Sequence, residues 1–355
     1  MKCFDDSADL PVPLTICLRG RLSAAPRLAI KKPDFTYVGQ SLQNDQNISR
    51  CNRPFQAGDE VYHRIKTCGE IGKQENSHRI SPILQISVRI LPMNQVTQFY
   101  DQNVSSEWTR LSERHRTEFA VTLRAMAEYV PPPPARLLDL GGGPGRYALE
   151  LARQGYTVTL ADISSAELDF ARQQAQAQGI ALAEVMTLDA RHLSPLSNAS
   201  FDIVLILGPL YHLLSLPDRQ AALNEACRVL RPGGLMLAGF ISRFAPFRDA
   251  AVKYPDWLEK EPEYAESILQ TGVHDQPQGW TAYFAHPNEI KPFMESAGLH
   301  SLALIGTEGV AAGHETALNN LDGELWERWV ALNYRLGQDP ALLGAADHLL
   351  YVGRK

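Results

Sequence analysis

Between residues 136 and 147 the chain reads RLLDLGGGPGRY, which places Asp139, Gly141, Gly142, Gly143 and Gly145 between an aliphatic run and a helix-like run. Glycine at such a junction lets the backbone turn sharply and lets a ligand approach main-chain amides that a Cβ would screen. Spacing disfavours two common ligands there. A dinucleotide fingerprint counted from Gly141 puts Arg146 where the third small residue belongs, and a phosphate-cradling P-loop would need a longer interval and a closing Lys-Ser/Thr. What is left is D-x-G-x-G-x-G, with two more acids at apparent strand ends: Asp162 in TVTLADIS and Asp189 in VMTLDARHL. A carboxylate at the end of a second strand can accept hydrogen bonds from both hydroxyls of a ribose. Further on, Tyr211 and His212 follow a strand in LILGPLYHLL. An imidazole titrates near neutrality, so His212 is a candidate general base.

The surrounding pattern is strand and helix in alternation. ARLLDL, TVTLAD, LAEVMTLD, FDIVLIL and GGLMLAGF read as strands, with helices in PGRYALELARQG, SSAELDFARQQAQAQG and DRQAALNEACRVL. Ser164 with Glu167 has the capping-box spacing. Unbroken alternation predicts an α/β fold, a doubly wound and mostly parallel sheet with ligands at the carboxyl ends of its strands. A long helix over 106–130, carrying Trp108, Leu111, Phe119 and Leu123, precedes the first strand and ends against Pro131. After Phe240 the alternation lapses into a helix-forming, aromatic-rich stretch over 241–286. HPNEIKPFMESAG, LHSLALIG, GELWERWVALNYRLG and HLLYVGRK then read as helix, strand, helix and strand.

The D-x-G-x-G-x-G turn resembles the nucleotide-site motif of Rossmann-like (class I) S-adenosylmethionine-dependent methyltransferases, bacterial small-molecule type, over essentially residues 99–355. The resemblance implies a seven-stranded sheet, S-adenosyl-L-methionine as cofactor and a small-molecule acceptor at O, N or C. It places Asp139 and the four glycines around the cofactor's methionine end, Asp162 and Ile163 at the ribose, and Asp189 with the Ala190 amide at adenine. Leu207 and, from an N-terminal helix folded over the site, Tyr100 complete the cofactor set. Tyr211 orients the acceptor or packs; His212 is a base, or a histidine held within its loop. The insertion's Phe244, Phe247, Trp257, Tyr264, Trp280, Tyr283 and Phe284 suit a substrate lid or the ordinary core of a helical insertion. Arg243 and Arg248 could hold an acceptor carboxylate or lie solvated. A cofactor-binding protein without catalysis and a nicotinamide oxidoreductase are the alternatives.

Composition sets the outer limits. A net charge of −6 disfavours nucleic acid, and GPLYHL supplies neither an Asn-Pro-Pro-Tyr motif nor a Pro-Cys nucleophile for base methylation. No run is apolar enough to span a membrane and the N-terminal stretch lacks a signal peptide's apolar centre, so the expected location is cytoplasmic. The chain changes character near Met93: up to Pro92 it holds 13 Lys plus Arg against 9 Asp plus Glu, and afterwards 21 against 31. Residues 1–92, broken by prolines, read as a disordered or non-native leader with one strand in SPILQISVRILP, and 93–355 as the catalytic domain. Cys3, Cys17, Cys51 and Cys68 have no close metal-ligand spacing, Cys227 reads as a buried small residue, and no metal is indicated.

Overall fold

The computed structural model describes residues 95–276 and 280–355 and, within the first 94, the backbone of three short strands. The chain divides into two compact units, Met1–Met93 and Asn94–Lys355. In the first, Leu84–Arg89 is the central strand of an antiparallel sheet with Ile16–Leu18 and Tyr62–Ile65, and it falls in the segment expected to be extended. The rest of the proposed leader lies outside the described residues.

The second unit is the α/β fold. Helices α1 (Gln95–Glu113) and α2 (Arg116–Tyr129) lead into β1 (Arg136–Leu140), α3 (Arg146–Arg153), β2 (Thr157–Asp162), α4 (Ser165–Gln178), β3 (Glu184–Thr187) and β4 (Phe201–Ile206). A short α5 (Pro209–His212), α6 (Leu216–Val229) and β5 (Leu230–Ser242) follow. The insertion contributes α7 (Ala245–Lys253), α8 (Trp257–Lys260) and α9 (Pro262–Thr271), and its short strand Ala282–Ala285 pairs in parallel with the end of β5. The chain closes with α10 (Pro287–Glu295), β6 (His300–Gly306), α11 (Glu315–Asn319), α12 (Gly323–Gly337) and β7 (His348–Arg354).

The main sheet runs β3-β2-β1-β4-β5-β7-β6, parallel from β3 to β5 and antiparallel where β7 enters between β5 and β6. Residues alternate between its two faces, as the pleat requires. Leu138 and Leu140 of β1, Val204 and Ile206 of β4 and Met236 of β5 pack on α6 and α10. Leu137, Ile203, Leu205 and Leu237 pack on α2, α3, α4 and α12. Buried on both faces, the central strands read as nearly unbroken aliphatic runs. β1 connects to β2 on one side while β4 lies on the other, so the crevice at this reversal opens at the carboxyl ends beside Asp139.

Two expectations change. The single helix over 106–130 is two helices, because the amides of Arg114 and His115 both turn back to the Arg110 carbonyl and His115 leaves helical geometry at φ −115°. The Asn319 side-chain amide donates to the freed carbonyls of Glu113 and Arg114 at 2.8 and 3.0 Å, fixing the break from a distant part of the chain. The capping box at α4 is only half made: Ser164 Oγ accepts from the Glu167 amide at 3.2 Å. The Ser164 amide donates to Asp162 Oδ1 at 2.8 Å, which leaves the Glu167 carboxyl to point at the glycine turn.

Candidate functional site

The glycine turn is built as tightly as its sequence suggests. Gly141 and Gly143 have φ of +70° and +53°, where an L side chain is strained. A Cβ at Gly141 would stand 2.4 Å from Pro209 Cγ, and one at Gly143 2.6 Å from Glu167 Oε2. Its amides, however, are not open. Gly141 donates to the Ala161 carbonyl at 2.7 Å, Gly145 to the Gly142 carbonyl at 2.9 Å, and Gly143 to Asp162 Oδ2 at 2.8 Å. The absence of side chains here serves the turn and its packing, which corrects the expectation of amides free for a ligand's carboxylate.

What the crevice offers instead is buried carboxyl groups that a cation would ionise. Asp139 is 1% exposed and its Oδ2 has no hydrogen-bond partner, and Glu167 is 2% exposed with Oε1 likewise unpartnered. Burial, and then the neighbouring Asp162 charge, pushes Asp139 up to about 7 and Glu167 up to about 9. Burial also raises Asp162, although the amides of Ser164 and Gly143 oppose it. Buried carboxylates that lack counter-charge suit a cationic ligand. An α-ammonium and a sulfonium are such charges, so these residues fit the positive parts of S-adenosylmethionine.

Each remaining site residue has a definite place. Asp162 ends β2 with one oxygen on the Gly143 amide and the other on that of Ser164, leaving a further lone pair on each. Ile163 follows it, half-buried. Asp189 binds Arg191 through the backbone amide at 2.9 Å and through the guanidinium at 2.7 to 3.1 Å. Burial raises its pKa, but the bonds from Arg191 outweigh that and hold the carboxyl below its ordinary value. The ion pair occupies much of the acceptor capacity expected to serve adenine; Ala190 beside it is buried. Arg146, whose presence breaks the dinucleotide spacing, lies over the Trp108 ring at 4.6 Å and so ties α3 to α1.

Helix α1 covers the site. Ser164 Oγ donates to Asp101 at 2.6 Å, and Tyr100 reaches His212 Nε2 at 2.6 Å. His212 Nδ1 lies 3.0 Å from the Thr281 carbonyl, which can only accept. Nδ1 therefore carries the proton and Nε2 accepts from the Tyr100 hydroxyl. Burial holds His212 down at about 4, so the ring is neutral at physiological pH. Tyr211 and Leu207 line a small cavity with Glu118, Tyr147, Gly239 and His348. Five of the insertion's aromatics form a core of their own: Phe284 packs with Ile241, Ile268 and Ala282, and Phe247, Trp257, Tyr264 and Trp280 lean against them, whereas Tyr283 packs on the main core and Phe244 against His286. Arg243 pairs with Glu289 at 3.0 Å, and Arg248 with Asp347 and the carbonyls of Gly344 and Ala346, so neither is a solvated surface cation.

Sequence reasoning missed Glu167 because its position already had an explanation as a cap. It missed Glu118, Tyr147 and His348 because only folding gathers them. Tyr147 did carry a signal, an aromatic in the first helical turn after the glycines, and its buried hydroxyl has no partner.

Residues 138–238 match a family described as a methyltransferase domain. The ubiquinone biosynthesis O-methyltransferase of Xylella fastidiosa (strain 9a5c) is 30% identical over 181 residues, 51% of this chain and 67% of that protein. The protein of the same name from Coxiella burnetii (strain Dugway 5J108-111) is 29% identical over 177 residues. That alignment takes in 48% of this chain and 65% of the Coxiella protein, a little under two thirds of its length. A solved S-adenosylmethionine-dependent methyltransferase from Methanosarcina mazei superposes with a TM-score of 0.45 at 18% identity, covering 65% of this chain and 96% of that one.

Proposed function

We propose, for a chain that belongs to the Rossmann-like (class I) S-adenosylmethionine-dependent methyltransferases, transfer of the cofactor's methyl group to a small-molecule acceptor. The observation that carries the cofactor assignment is the pair of buried, unpartnered carboxyl atoms, Asp139 Oδ2 and Glu167 Oε1, beside the glycine turn. When bound, the cofactor supplies an electrophilic methyl carbon on a positively charged sulfur. The names of the Xylella and Coxiella relatives support oxygen as the acceptor atom.

In this reading Asp139 and Glu167 hold the cofactor's positive charge, Asp162 takes the ribose hydroxyls, and the segment Asp189–Ala190 meets adenine beside the Arg191 pair. The acceptor binds between α1 and the insertion of residues 241–286, where Phe99 and Tyr100 meet His212, Trp280 and Thr281, with the neighbouring Tyr211 ring to orient it. His212 Nε2 is its base. In the arrangement described, Tyr100 occupies that nitrogen, so the role requires α1 to swing away and let the acceptor's hydroxyl take Tyr100's place. Alignment and exclusion of water supply most of the rate for such an in-line displacement, up to about 7–11 kcal/mol. Incubating the full chain with methyl-labelled cofactor and a metabolite extract should place label in a small molecule. Cofactor binding with no labelled product would favour a silent binding protein instead.

Binding should also release protons. Asp139 at about 7 is about half protonated at pH 7 and mostly ionised at pH 8, Glu167 at about 9 is protonated at both, and an incoming cation favours their charged forms. Their neutral forms suit the unliganded fold, so the stability they contribute is complete below their unfolded values and fades as pH rises through about 7 and then about 9. Calorimetry at pH 8 in buffers of different ionisation enthalpy should report net release approaching ~1 proton. An observed enthalpy indifferent to the buffer would remove these carboxyls from the cofactor site.

A further inference from the structure

Beyond the methyl-transfer site, the break between α1 and α2 assembles a group whose intervals along the chain, 3, 190 and 40 residues, resemble no ligand motif. His115 stands at the N-cap position of α2 without a capping bond, and Glu118 follows three residues on in its first turn. Glu308 lies just after β6, and His348 opens β7. One ligand atom from each of the four lies within 4.8 Å of the others. We propose that His115, Glu118, Glu308 and His348 form a binding site for a first-row divalent metal ion such as Zn2+ or Co2+.

The donor set argues for that class of ion. Two imidazoles and two carboxylates are borderline ligands that suit zinc and its neighbours, whereas calcium and magnesium prefer oxygen alone. Bonds of about 2.0–2.2 Å to a tetrahedral ion put ligand atoms roughly 3.3–3.6 Å apart, so the widest separations, up to 4.8 Å, close by about 1 Å while His348 Nδ1 and Glu308 Oε1, now 2.5 Å apart, spread by about as much, both within reach of side-chain adjustment. Two carboxylates balance the ion's charge. His348 must give up to solvent the proton it now shares with Glu308.

Two features of the surroundings fit a metal better than a self-contained ion pair. His115 Nδ1 has no hydrogen bond, and with Glu315 on its side the other ring nitrogen is the one left for the ion. Glu315, whose side chain is 8% exposed, brings Oε1 to 3.7 Å from His115 Nδ1 while its Oε2 has no partner. A carboxylate behind a ligating histidine is the usual way to fix the ring's orientation. Arg110 donates to Glu118 at 3.0 Å and steadies the other arm. Glu118 and His348 also reach the wall of the cavity that Tyr211 lines, so the ion would sit within reach of a ligand there.

Cobalt is the probe. The full chain, stripped with a chelator and titrated with Co2+, should bind one ion with the visible absorption of a tetrahedral N/O site. Both His115→Ala and Glu118→Gln should weaken that binding at least about tenfold, as should Glu315→Gln through the loss of its orienting role. Thermal melting of the metal-free variants shows whether each is folded; His115→Ala removes a side chain whose Nδ1 makes no hydrogen bond, and Glu118→Gln keeps the shape of the original. No cobalt spectrum, or a spectrum and affinity that survive in the folded variants, would overturn the assignment and leave the four residues as a proton-sharing network.

Discussion

Replacing Glu308 by alanine should lower the unfolding free energy by about 3–5 kcal/mol, the cost of breaking a buried charge pair from one side. The carboxyl is 0% exposed. One oxygen is bonded to His348 Nδ1 and the other accepts the His348 amide at 2.9 Å. Burial opposes both charges, yet the mutual attraction wins. It holds Glu308 down at about 2, while Glu118 and Glu308 together raise His348 to about 10. The pair therefore has a wide working window. Glu308's share is present above its unfolded value and is lost as pH falls through about 2; His348's share is complete below 6.5 and is lost as pH climbs through about 10.

One neighbour softens the loss. Glu315 is raised to about 9, first by burial and then by the Glu308 charge, so removing that charge lets it ionise more easily and take over some of the pairing. The effect should thus fall toward the lower end of the range at pH 8 and the upper end at pH 6. Glu308→Gln, which keeps an acceptor for the His348 amide, should cost less than the alanine variant. Denaturant midpoints at constant slope measure all of this. A shift equivalent to less than roughly 0.5 kcal/mol, the size expected of an ordinary surface substitution, would show that the pair does not hold β6 and β7 together.

The same residues show what the sequence could and could not disclose. β1, β2, β4 and β5 were legible because a strand buried on both faces is mostly aliphatic, although β5 starts at Leu230 and so takes in the RPGG that reads as a turn before it. Gly323–Gly337 was legible to the residue, since amphipathic spacing and glycines agree at both ends. The split at Arg114 was not. Its cause is Asn319, some two hundred positions later, and the apolar spacing on either side continues as if nothing intervened.

In the site the division follows the same line. The glycines, Asp139 and Asp162 could be found because a turn and two strand ends confine them to local sequence. The destination of the turn's amides could not, because Gly143 donates to a residue on the next strand. Glu308 and His348 meet because β7 returns antiparallel beside β6, and Glu118 joins them from α2, so no window of sequence contains the pattern.

Asp162→Ala should weaken binding of S-adenosylhomocysteine by about 1.5–3 kcal/mol, roughly ten- to a hundred-fold in dissociation constant, if the carboxylate accepts the ribose hydroxyls. The product is the better probe because its sulfur is uncharged, which removes the sulfonium's share of the crevice's attraction for a cation and leaves only that of the α-ammonium. The structure adds a second route to the same loss. Asp162 also receives the Gly143 and Ser164 amides at 2.8 Å each, and without it the glycine turn loses its tie to β2 while two buried donors go unpaired. Asp162→Asn separates the two routes. Its amide oxygen can still satisfy one of those donors and preserve the shape, but it has no charge with which to hold the ribose. An asparagine variant that melts near wild type and binds as weakly as alanine assigns the energy to the ribose. Wild-type affinity in both variants would refute the ribose assignment, and a loss confined to alanine would make Asp162 a brace for the turn.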